Sequence, residues 1–186
     1  MTIKKSLIAS LFIFLMLCTM KAYALSAEEL KSFSLDQLFS QLKKETDESQ
    51  ARKIENQIWL SWLKAGNDEV DGLMNDAYYF RREFNLTSAA NSLNEVIAKA
   101  PNYSEAWNQR AIVFFYQGKL DLALKDIEKA LELEPRHFGA MAGRAVIHLK
   151  LNQRELAKSS IAEALDIHPF LPERTLFPEL YADRKI

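Results

Sequence analysis

Cysteine occurs once in the whole chain, at Cys18, so no internal disulfide can form and no thiol-based staple holds the fold. Glycine and proline number only 5 each in 186 residues. That is too few for a sheet protein built on many tight turns, and it suits long helices with short connections. Neither sign of charge dominates, since 24 basic side chains face 25 acidic ones. A chain without a basic stripe gains little of the counterion-release free energy that nucleic-acid binders depend on, so no nucleic-acid partner is expected. A Gly-rich phosphate loop, an H-E-x-x-H pair and a G-x-S-x-G elbow are all missing, and no catalytic residue, cofactor or metal is expected. The histidines, His137, His148 and His168, are spaced so that no two share a helical turn, and they are assigned structural roles. What is present, 48% hydrophobic and 26% charged residues, is the make-up of one ordinary globular domain.

The first 24 residues have the pattern of an export signal. Lys4 and Lys5 precede an apolar run over residues 7–20, and Ala22-Tyr23-Ala24 supplies the small-x-small cleavage site. Cleavage is expected after Ala24. The run of 14 residues falls short of the ~20 apolar residues that cross a bilayer, so no membrane span is expected once the signal is removed. Leu15-Met16-Leu17 in front of Cys18 lacks the small residue that precedes an acylated cysteine. Without Lys4, Lys5 and Lys21, 21 basic residues remain against 25 acidic ones.

Beyond the signal the sequence repeats with a period of 34. In the windows 70–103, 104–137 and 138–171, three positions are identical: Ala77, Ala111 and Ala145; Ala89, Ala123 and Ala157; Pro101, Pro135 and Pro169. Leu73, Trp107 and Met141 are large and apolar, Phe80, Phe114 and His148 are planar, and Leu93, Ile127 and Ile161 are branched aliphatics. Within a window these residues fall at i, i+4 and i+7 twice over, one buried face on each of two helices. The small residues let the two axes approach, the bulky ones fill the space beside them, and the proline ends the second helix. Gly118 marks the turn of the middle window, where the first has Phe84 and the third Asn152.

This pattern resembles the tetratricopeptide repeat, most closely in the middle copy, from Ser104-Glu-Ala-Trp107 through Ala111, Phe114, Gly118, Ala123 and Ala130 to Pro135. The resemblance implies an all-α solenoid, a right-handed superhelix of antiparallel helix pairs whose first helices line a concave surface. Ala106 to Ala111 and Glu134 to Ala140 are further similar to segments of small, signal-bearing bacterial proteins of this family. That similarity implies a periplasmic location. Residues 25–69, with apolar faces on 35–44 and 51–63, are expected to form a helical hairpin that continues the stack as a degenerate repeat or cap. Residues 172–186, with Leu176, Phe177, Leu180 and Tyr181, are expected to cover its other end. Arg110 and Arg144 recur at one position, with a structural role expected, and Trp59, Trp62 and Trp107 are read as core.

By the same resemblance the groove is lined by Asn75, Tyr78, Arg81 and Arg82 from the first copy, and by Asn108, Gln109, Ile112, Phe115 and Tyr116 from the second. Gly143, Val146 and Lys150 line it in the third. Gly143 inside a helix costs about 1 kcal/mol relative to alanine, so something is expected to need the room. One candidate is a partner segment with an apolar anchor and an acidic or C-terminal carboxylate flank. The other is the chain's own 176–181. The function implied is a non-catalytic scaffold that binds a protein or peptide segment. The alternative is an obligate structural subunit of a cell-envelope complex, in which the convex or end surfaces are used.

Overall fold

The computed structural model describes residues 33–180, and its helices all belong to the compact unit that begins at Leu35. The expected signal, its cleavage site after Ala24, and Tyr181 lie outside the described residues. Within them the fold is all-α. Eight helices run in order: α1 (Leu35–Lys44), α2 (Glu48–Trp62), α3 (Asp68–Arg82), α4 (Leu86–Lys99), α5 (Ser104–Tyr116), α6 (Leu120–Leu133), α7 (Phe138–Lys150) and α8 (Arg154–Ile167). Two short 3-10 turns, Pro172–Leu176 and Pro178–Leu180, follow. No described helix is long and apolar enough to cross a membrane.

Polar side chains fix where several helices begin. Asp47 accepts from the Gln50 amide at 2.9 Å, Asn67 from those of Glu69 and Val70, and Asn85 from that of Ser88, each supplying a partner that the first turn lacks. His137 does the same at α7, where its Nδ1 accepts from the Ala140 amide at 3.2 Å. The turn inside each helix pair keeps the 34-residue period in its backbone. Phe84, Gly118 and Asn152 have φ of +56°, +74° and +60°. Glycine and asparagine take this left-handed conformation readily, but in phenylalanine the Cβ makes it cost about 1–2 kcal/mol.

The helices pack as sequential antiparallel pairs, α3 with α4, α5 with α6 and α7 with α8. Ala77, Ala89, Ala111, Ala123, Ala145 and Ala157 are buried where paired axes approach, and Leu93, Ile127 and Ile161 are buried beside them. Arg110 crosses from α5 to α6, donating from Nε and Nη2 to the two carboxylate oxygens of Asp126 at 2.7 and 2.8 Å. Arg144 makes the matching link from α7 to Ser160 and Glu163 of α8. Both arginines thus tie the two helices of a pair together.

The hairpin of α1 and α2 departs from the expected place. Instead of continuing the stack ahead of α3, it shares its core with the last pair. Leu38, Phe39, Leu42, Ile58 and Trp62 are buried in one cluster with Phe138, Met141, Ala142, Ile161 and Phe170, whereas Val70, Met74 and Ala77 of α3 belong to another. Trp62 stacks on His137 with ring centroids 4.1 Å apart and planes 14° from parallel. Trp59 meets Phe138 edge-on at 5.4 Å. Polar links repeat the connection: Arg136 reaches Asp36, Arg174 lies 3.3 Å from Glu48, and His168 Nε2 stands 3.2 Å from Glu55 Oε2. The physical reason lies in α7, which opens with Phe138 and Gly139. A Cβ built on Gly139 would stand 2.6 Å from Trp59 Cη2, so the missing side chain is the socket for the indole.

Candidate docking groove

A hollow remains between α3, α5 and α7, and six of the twelve residues expected in the groove face it. Arg81, Ile112, Phe115, Tyr116, Gly143 and Val146 line a cavity of about 410 Å³, together with Trp59, Ile127, Gly139 and Ala142. The C-terminal segment contributes Leu171, Pro172 and Glu173 to its rim. The expectation that 176–181 fills the hollow is corrected for the described part of that segment. Phe177 is fully buried in the core of α1, α2, α7 and α8 beneath Arg154, whose guanidinium carbon sits 4.7 Å from the ring centroid. Trp59 takes the Gly139 end, and the Gly143 end is left open.

A second basin, of about 610 Å³, adjoins the first and shares Arg81 and Tyr116 with it. Asn75, Tyr78, Tyr79, Arg82 and Phe84 complete its wall. Arg81 Nε is buried without a hydrogen-bond partner, and its guanidinium carbon lies 5.9 Å from the Tyr78 ring centroid. The Arg82 side chain is 79% exposed and comes no closer than 3.9 Å to Glu83 Oε1. The two cations therefore stand beside the aromatic wall without a tightly bound carboxylate.

Asn108, Gln109 and Lys150 do not line either basin. Lys150 is exposed at the end of α7. Asn108 and Gln109 are buried because they serve Glu105, a carboxylate only 1% exposed. Asn108 Nδ2 donates to Glu105 Oε2 at 2.9 Å and Gln109 Nε2 to Oε1 at 2.6 Å, with the Tyr78 hydroxyl donating to Oε1 at 3.2 Å. His137 Nε2 stands 2.9 Å from Oε2. Because His137 Nδ1 accepts the Ala140 amide, its proton belongs on Nε2, which donates to Glu105. A buried carboxylate needs such a set of donors, and this one joins α3, α5 and the start of α7. Burial, reinforced by Glu105, pushes the Tyr78 phenol well above its ordinary 10.0, so the phenol keeps its proton.

Several contributors were not legible as groove residues, among them Glu55, Trp59, Tyr79, Phe84, Ile127 and the Leu171–Glu173 rim. Only Phe84 carried a signal, as an aromatic where the turn glycine belongs.

Residues 104–137 match the family model of the tetratricopeptide repeat. A TPR repeat-containing protein of Rhizobium etli is 43% identical over 104 residues, which is 56% of this chain and 51% of the relative. The chain therefore spans about half the length of that relative. Among solved structures, a mutant of MamA aligns at 15% identity with a TM-score of 0.49, over 73% of this chain and 98% of that one. The matched stretch is α5 and α6 with their flanking turns, so this helix pair is similar to a tetratricopeptide repeat.

Proposed function

We propose that this protein is a non-catalytic interaction module of the bacterial periplasm, which holds a peptide or helix of a partner protein in the hollow between α3, α5 and α7. The observation that carries this reading is the cavity of about 410 Å³ that stays open after the hairpin and the C-terminal turns have docked. Ile112, Phe115 and Val146 give it an apolar wall. At Gly143 an added Cβ would meet only Ile127 Cδ1, at 3.1 Å, so anything larger would project into the hollow. A leucine-sized side chain from a partner buried here contributes about 1.5–3 kcal/mol. Tetratricopeptide repeats generally serve protein–protein interaction, and the signal-like residues 1–24 support export.

Photocrosslinking in living cells tests the assignment. A photoreactive residue at Val146 is expected to yield a discrete protein adduct that Gly143→Leu abolishes, while one at Leu122, exposed on α6, yields none. Adducts from Leu122 with none from Val146 would refute the groove and favour an outer-face assembly contact.

A further inference from the structure

We propose that the segment bound is acidic, with its carboxylates on Arg81 and Arg82 and an apolar side chain set against Tyr79, Phe84 and Tyr116. This deepens the protein-binding reading above and rests on it. The first observation is Phe84, which holds a left-handed backbone at φ +56° while 67% of it is exposed. Gly118 and Asn152 make the same turn without that strain, so the turn does not need the ring, and its exposure shows that little burial among the described residues offsets the cost. Strained residues of this kind cluster at sites that bind. The ring meets only the rim of Tyr116, edge-on with centroids 5.9 Å apart. Tyr79 and Tyr116, like Phe84, are more than half exposed, and all three wall one basin. Isolated exposed apolar groups need no explanation, but a cluster at a cavity mouth does.

The second observation is charge. Arg52, Arg110 and Arg136 each hold a carboxylate at 2.7 to 2.9 Å, and Arg144 holds Glu163. Arg81 and Arg82 share one short stretch of α3 and lack such a partner among the described residues. Guanidinium groups beside an aromatic wall, Arg81 partly withdrawn from water and Arg82 open to it, favour carboxylates through charge-assisted hydrogen bonds. Two cations on a chain of net charge −1 give too small a phosphate footprint for a nucleic acid, whose affinity grows with each phosphate neutralised. Because Arg81 and Tyr116 belong to both basins, one extended segment can set an apolar residue against the aromatic cluster and another in the Gly143 cavity.

Fluorescence anisotropy on the purified chain tests the inference with labelled ten-residue peptides that carry a central Phe-Leu pair. The flanks are Asp and Glu in one, Asn and Gln in the second, and Lys in the third. An acidic peptide with Ala-Ala at the centre and a ten-nucleotide oligothymidine serve as further probes. The acidic Phe-Leu peptide is expected to bind at least ten-fold more tightly than every other probe, and more weakly as salt rises. Arg81→Gln with Arg82→Gln should cut its affinity ten-fold or more. Phe84→Gly should do likewise without lowering the melting temperature. Equal binding of the neutral peptide, lost in Gly143→Leu, overturns the acidic preference and leaves the protein-binding reading standing. Failure of all peptides while Val146 still crosslinks a protein in cells does the same. Failure of peptides and crosslinking together removes both. Tight oligothymidine binding reassigns the surface to nucleic acid. A dimer that Phe84→Gly dissolves reassigns it to a second copy. Peptide binding that appears only after removal of residues 181–186 reassigns it to the chain's own end.

Discussion

Alanine substitution of the two glycines in α7, one at a time, separates a filled socket from an open one. At Gly139 the new Cβ would stand 2.6 Å from Trp59 Cη2 and 3.1 Å from Cζ2. The indole has little room to yield, because its ring packs against Trp62 at 5.2 Å, Phe138 at 5.4 Å and His137 at 5.8 Å. Overpacking of that kind costs about 1–3 kcal/mol. The helix-propensity gain is below its full value of about 1 kcal/mol, since Gly139 lies in the first turn of α7. The expected net for Gly139→Ala is a loss of about 1–2 kcal/mol. Gly143 lies in the middle of α7, and its Cβ would meet only the terminal carbon of Ile127, at 3.1 Å, which can swing aside. Gly143→Ala is therefore expected to be neutral or stabilising by up to about 1 kcal/mol. In a protein of this size 1 kcal/mol moves the melting temperature by about 2–4 °C, so thermal melts followed by circular dichroism resolve the two variants. Trp59→Leu combined with Gly139→Ala should be less destabilising than the sum of the single changes, because the two residues touch. If Gly139→Ala melts at or above the parent, the docking of α2 on α7 is wrong.

Three further outcomes follow from the packing. Ala123→Leu, at a fully buried approach of α5 and α6, should cost about 1–3 kcal/mol, while Lys119→Leu, in the turn before α6, should cost far less; equal melting temperatures would contradict the phase of the repeat. Phe84→Gly should stabilise the chain by about 1 kcal/mol through relief of its left-handed backbone, and a lower urea midpoint would show that the ring contributes to the core. His168 holds the Glu55 carboxyl below its ordinary 4.5, against an opposing push from burial. A lowered folded-state value means that this contribution to stability is complete above pH 4.5 and is lost as pH falls through the lowered value. Glu55→Gln should flatten that part of the acid-stability curve, and an unchanged curve would contradict the pairing.

The three helix pairs were legible because their burial is periodic. Ala77 and Ala89, Ala111 and Ala123, Ala145 and Ala157 announce a close approach whatever else surrounds them. Arg110 and Arg144 were legible for the same reason, since a cation that recurs in phase with those alanines must reach the neighbouring helix. The place of α1 and α2 was not legible. Ile58 and Trp62 show that one face is buried, but periodicity names no partner, and the partner lies far along the chain at His137, Phe138 and Gly139. Gly139 and Gly143 look alike in sequence as small residues on one face of α7, yet one receives Trp59 and the other faces an open cavity. Asn108 and Gln109 were misplaced because the register puts them on the groove side, while their donors are drawn inward to the buried Glu105.

A crystal structure of the protein bound to its partner segment, identified by crosslinking at Val146, tests the central claim most directly. The account predicts the segment across Ile112, Phe115 and Val146, with an apolar side chain beside Gly143 and a carboxylate on Arg81 or Arg82. A segment seated instead on the outer faces of α4, α6 or α8, with the Gly143 cavity still open, would contradict it.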